Sequence, residues 1–172
     1  MICDDCILKT DVSHFIIAEW DEMIGPKLAG YGGNLLFGID ANELQGLVEN
    51  LFMIIMGIYG NQFNLNDPSH VILPIKYFHS MSLESFIYFD AKKDEKFRNG
   101  QLLNMIVFIT KKICHDFEND YMKIFKNEFK EFITQNENQE SIELLKKLSG
   151  KLKLFHDNAK TTFTNPLLCN LS

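Results

Sequence analysis

Four cysteines and five histidines are the side chains of this sequence best equipped to attack, coordinate or shuttle protons. Cys3 and Cys6 stand as C-D-D-C, the spacing of a thiolate pair, whereas Cys114 and Cys169 each stand alone. A four-thiolate zinc site needs a second pair, so the readings left for Cys3 and Cys6 are free thiols, a disulfide, or a site completed by His14. The histidines, His14, His70, His79, His115 and His156, are scattered. None has a serine, cysteine or carboxylate at a recognised catalytic spacing, and His115 beside Asp116 at a helix start comes nearest. The expectation is a protein with no intrinsic enzymatic activity, no cofactor and no metal. A different chemistry stands at W-D-E-M-I-G-P-K, Trp20 to Lys27. Asp21 can accept from backbone amides two residues on, Gly25 permits torsion angles other residues avoid, and Pro26 fixes φ and removes a donor. That is a stiff corner suited to recognition, with Trp20, Asp21 and Lys27 as rim residues and Gly25 and Pro26 serving the turn.

Composition narrows the partners. With 172 residues, 46% of them hydrophobic, 15 Phe and 4 Pro, the chain can fill one core and is far from the signature of disorder. The net charge of −6 and the dispersal of basic residues argue against nucleic acid or anionic lipid as a partner. The most apolar window, Leu51 to Tyr59, falls short of the roughly 20 residues that a membrane span requires. Acidic residues occupy the N-terminus where a secretory signal is basic, so the expected location is cytoplasmic, with membrane association only through partners.

The elements that position these residues follow from periodicity. His14 to Tyr31 reads as a hairpin, with a first strand over Phe15 to Trp20 and a return strand from about Lys27 to Phe37, where Gly32 and Gly33 suggest a bulge or break. Asp40 with Glu43 makes a capping box ahead of a helix whose apolar face is Leu44, Leu47, Val48, Leu51, Phe52, Ile55 and Ile58. Met53, Ile54 and Met56 widen that face beyond what one contact needs, which marks Met53 and Met56 as candidate partner-binding residues. After a loop over Asn61 to Ser69, Val71 to His79 reads as an edge strand because Pro74 cannot donate to a ladder. Leu83 to Asp90 and Leu102 to Thr110 are apolar on both faces and read as interior strands, joined through Arg98-Asn99-Gly100. Two helices follow, one from Ile113 through Phe117, Tyr121, Phe125, Phe129 and Phe132, and one carrying Ile142, Leu145, Leu148, Leu152 and Phe155 to about Asn158. The expected organisation is a flexible N-terminus over 1–12, one domain over 13–158 and a C-terminal tail over 159–172.

The resulting order, β-β-α-β-β-β-α-α, together with the W-D-E-M-I-G-P-K corner, resembles the longin domain family, in particular the longin domains of nitrogen permease regulator-like and folliculin or DENN-type proteins. The resemblance covers about Phe15 to Phe155. It implies an α+β fold, an α/β/α sandwich built on a five-stranded antiparallel sheet in order 2-1-5-4-3, with one helix on one face and two on the other. The chain departs from that family in the double Gly of strand two and in lacking a downstream DENN domain or SNARE coiled coil, so a bare module is expected and functions that reside in those parts are not carried over.

By the same resemblance the chain is a non-catalytic module that binds or regulates small Ras-like GTPases, as a dimeric scaffold or activator subunit paired with itself or with another longin or roadblock domain. In such relatives an arginine in the loop before the last strand is supplied to the bound GTPase. K-F-R-N-G-Q-L-L places Arg98 in the matching loop, as a candidate arginine finger. The alternative is a SNARE-like trafficking adaptor that binds proteins at membranes regardless of nucleotide state.

Overall fold

In the computed structural model, which describes residues 13–33, 39–59, 68–75, 83–93, 95, 101–110, 113, 115–135 and 141–163, the chain runs β1 (Ser13–Asp21), β2 (Gly25–Gly33), α1 (Ala41–Tyr59), β3 (Ser69–Ile75), β4 (Leu83–Lys93), β5 (Gln101–Thr110), a 3-10 turn (His115–Phe117), α2 (Glu118–Gln135) and α3 (Ser141–Phe163). The strands form one sheet in the order β2-β1-β5-β4-β3, every neighbour antiparallel. This is the α+β architecture expected above, in element order and in sheet order.

Alternation along the inner strands explains the layers. Side chains of a strand point to opposite faces in turn, so a strand apolar throughout must be covered twice. In β1, Ile16 and Ala18 join Met105, Val107 and Ile109 of β5 beneath Leu44, Leu47, Val48, Leu51, Phe52 and Ile55 of α1. Phe15 and Ile17 join Phe86, Tyr88, Ile106 and Phe108 on the other face, beneath α2 and α3. That second core is ring-rich. Phe86 stacks on Phe125 with centroids 5.3 Å apart, and Phe15 stacks on Phe108 at 5.1 Å.

The N-terminus of α1 carries the capping box. Asp40 Oδ1 accepts from the amides of Asn42 and Glu43, both at 2.8 Å, and Glu43 Oε2 reaches back to the Asp40 amide at 3.3 Å. Pro74 lies exposed on β3, which is an edge strand, as its missing donor requires.

Beyond shifts of a few residues at strand ends, the structure differs from the sequence reading at a bulge and at two helix ends. The bulge falls where Ile17 pairs Gly30 and Ala18 pairs Leu28, leaving Ala29 as the extra residue, while Gly32 and Gly33 stay in register with Phe15 and His14. The helix expected from Ile113 begins instead at Glu118, after the 3-10 turn, and the Ile113 amide donates to Glu84 Oε2 of β4 at 2.7 Å. α3 continues to Phe163 rather than ending near Asn158, so helix extends into the stretch expected as tail.

Two buried polar groups carry a cost. His14 is 3% exposed, its ring stacked on Tyr31, and neither ring nitrogen has a hydrogen-bond partner among the described residues. Burial pushes its pKa down to about 4. The Glu128 side chain has no exposed surface. One of its oxygens accepts from Lys151 of α3, whose ammonium that bond holds above its ordinary pKa, and its Oε2 has no hydrogen-bond partner among the described residues.

Both groups give measurable expectations. Between pH 7 and pH 5 the unfolded chain takes up the His14 proton and the folded chain does not, so stability falls by about 2 kcal/mol as the pH drops. Urea unfolding at the two pH values should show this slope, and His14→Phe should remove that part of it. An identical slope in the variant would contradict the assignment. Lys151→Met strands the Glu128 carboxylate and should cost about 2 kcal/mol in the same assay, with Glu128→Leu added to it recovering most of the loss.

Candidate functional site

The corner between β1 and β2 is built from its own backbone. Glu22 to Ile24 form the turn, and Asp21 Oδ1 accepts from the amides of Met23 at 2.8 Å and Ile24 at 3.2 Å. Those two bonds, the Met23 bond first, hold the Asp21 carboxyl below the usual carboxylate range. Gly25 closes the turn at φ +84°, a left-handed conformation that side chains other than glycine rarely adopt. Pro26 then pairs with Trp20 and Lys27 with Glu19, the latter reinforced by an exposed ion pair at 3.7 Å.

Beside the exposed Glu22 the corner presents two large apolar side chains to solvent. Met23 is 94% and Ile24 69% exposed, at the tip of a turn that Asp21 and Gly25 hold in one shape. Trp20, expected at a binding rim, is half-buried, its ring tilted against Phe52 of α1 with centroids 6.0 Å apart. Asp21 serves the turn, and Lys27 stays exposed beside Glu19.

α1 is anchored beside this corner by Gln45. Its Nε2 donates to the Pro26 carbonyl and its Oε1 accepts from the Leu28 amide, both at 2.8 Å, while Nε2 also donates to Glu49. Pro26 and Leu28 point these groups away from β1, along the outer edge of the sheet. The Gln45 amide therefore occupies the positions a further strand would use, and it closes that part of the edge. Along the outward side of the same helix Met53, Ile54 and Ile58 are exposed, and Met56 is half-buried. Of the two candidate methionines, Met53 thus offers the larger free surface. Arg98, Cys3 and Cys6 lie outside the described residues.

Elsewhere the structure pairs chemistry-bearing residues that the sequence leaves apart. His115 Nδ1 lies 2.9 Å from Glu118 Oε1, and His70 Nε2 of β3 lies 3.3 Å from Glu118 Oε2. His115 therefore engages Glu118 rather than its neighbour Asp116. The His115 bond, with His70 adding to it, holds the Glu118 carboxyl below its usual range. The arrangement ties the start of α2 to an edge strand, and the His70 ring also stacks on Phe86 at 5.0 Å. Among the described residues no group of three His, Cys, Asp or Glu side chains gathers to hold a metal ion, and no helix is long and apolar enough to cross a membrane.

Met23 and Ile24 did carry a signal in the sequence, since two large apolar residues inside turn chemistry have nothing local to cover them. Gln45 and Glu118 carried none, because a polar helix residue looks the same whether it faces solvent or a strand edge.

The corner's stiffness is testable by amide exchange. Asp21→Ala should speed exchange at Met23 and Ile24 without disturbing β5, and Asp21→Asn should fall between the two; unchanged exchange at Met23 would show that the carboxylate does not hold the turn. Comparison of the sequence with family models and with curated proteins finds no match.

Proposed function

We propose that this chain is a non-catalytic longin-type module that binds and regulates a small Ras-like GTPase, as a scaffold or activator subunit within a homodimer or a heterodimer with another longin or roadblock domain. The observation that carries this reading is the sheet. The order 2-1-5-4-3 under a β-β-α-β-β-β-α-α chain is the arrangement that the longin resemblance of the W-D-E-M-I-G-P-K corner implies. A fold hosts many functions, so the reading also draws on the surface. A rigid turn presenting Met23 and Ile24 is an apolar anchor on a fixed element, the kind of feature that carries binding energy at protein interfaces.

In the activator form of this proposal Arg98, from the segment between β4 and β5, enters the nucleotide pocket of the bound GTPase. There its guanidinium offsets the charge that develops on the transferred phosphoryl group. The experiment is GTP hydrolysis by Ras-like GTPases in the presence of the chain, alongside binding to the GDP-loaded and GTP-analogue-loaded forms. Arg98→Ala should lower the stimulated rate by at least about 1,000-fold and leave binding intact. An unchanged stimulated rate removes the activator role. Equal binding of both nucleotide forms removes GTPase regulation and favours the trafficking adaptor.

A further inference from the structure

The inward face of α1 is fully used by the core, yet its outward side is also apolar. Met53 is 67%, Ile54 44% and Ile58 55% exposed, and from Asn50 to Tyr59 the helix holds no charged residue. Gly57 sits exposed among them. A glycine inside a helix lowers stability relative to alanine. Among the described residues nothing requires one here. Gly57 is not among the positive-φ glycines, and a Cβ built on it would meet no atom within 4 Å among the described residues. A missing side chain flanked by three exposed large ones leaves a notch into which another backbone can come close.

The charges around this stripe select its occupant. α1 contains no lysine or arginine; its ionisable acids are Glu43 and Glu49, both exposed and both in the N-terminal half. Asp40 precedes them, and the whole chain carries −6. A second copy meeting this stripe with its own α1, or an anionic lipid surface, would bring the same sign to the helix, while a basic partner would bring the opposite one.

We propose that the outer stripe of α1 docks one amphipathic helix of a basic partner protein. Its apolar side lies on Met53, Ile54 and Ile58, its backbone comes closest at Gly57, and its lysines or arginines meet Glu49 and Glu43. The assignment uses only this helix and stands whether or not a GTPase binds elsewhere.

The test titrates the full chain with a fluorescein-labelled amphipathic helical peptide of leucine and lysine, read by fluorescence anisotropy, with a leucine and glutamate peptide as control. The wild type should bind the lysine peptide and not the glutamate one. Gly57→Leu should weaken binding at least about tenfold, one decade of Kd, while its Tm is no lower than that of the wild type. Glu49→Lys should weaken binding and flatten its salt dependence, and Ile54→Asp should abolish it with a circular dichroism spectrum unchanged. Binding in Gly57→Leu equal to wild type, or equal binding of the two peptides, overturns the proposal. So does a solution mass showing a dimer of the chain alone that Gly57→Leu converts to monomer, since a second copy would then own the face.

Discussion

The whole structure answers to one constraint, the two-sided burial of β1 and β5. Met105, Ile106, Val107, Phe108 and Ile109 follow one another along β5, and each is at most 2% exposed. Fully burying such side chains contributes roughly 1.5–3 kcal/mol each, but only if both faces of the strand are roofed. That requirement fixes the layers. α1 supplies one roof and the ring-rich faces of α2 and α3 supply the other, and the hairpin of β1 with β2 extends the sheet beyond its best-covered strands. Large apolar side chains left over after both roofs are built, such as Met23, Ile24, Met53 and Ile58, have no place inside, and their exposure is informative for that reason.

The margins of the sheet are held by polar side chains rather than by more core. Gln45 takes the outer groups of Pro26 and Leu28, Asp21 takes the amides of the turn, and Glu118 gathers His70 and His115 where β3 meets the start of α2. Each closes backbone or positions an element that the apolar core cannot reach. The consequence for binding is rigidity. Any partner of the corner or of the outer stripe of α1 would meet backbone already held in place, so less ordering entropy would oppose association.

Much of this is legible in the sequence because it depends on local pattern. The capping box of Asp40 and Glu43, the edge position forced by Pro74 and the interior position of an uninterrupted apolar strand each follow from residues a few positions apart. The bulge is not legible in this way, because glycines mark permissive backbone, whereas the extra residue is Ala29, whose place depends on the register of β2 against β1. Gln45 with Leu28 and Glu118 with His70 are contacts 17 and 48 residues apart in sequence, which no local period encodes. The end of α3 is no clearer from pattern, since the apolar positions that mark it in the sequence stop at Phe155 while the helix runs to Phe163.

The most direct test of this account is native-state hydrogen exchange resolved by residue. If two-sided burial of β1 and β5 holds the molecule together, the amides of Met105 to Ile109 and of Phe15 to Ile17 exchange only through global unfolding, with the free energy that urea denaturation gives. Those of α1 and of α3 then follow them at equal or lower protection. Exchange of β5 amides through a local opening well below the global free energy, with α1 or α3 more protected than the strand, would contradict it.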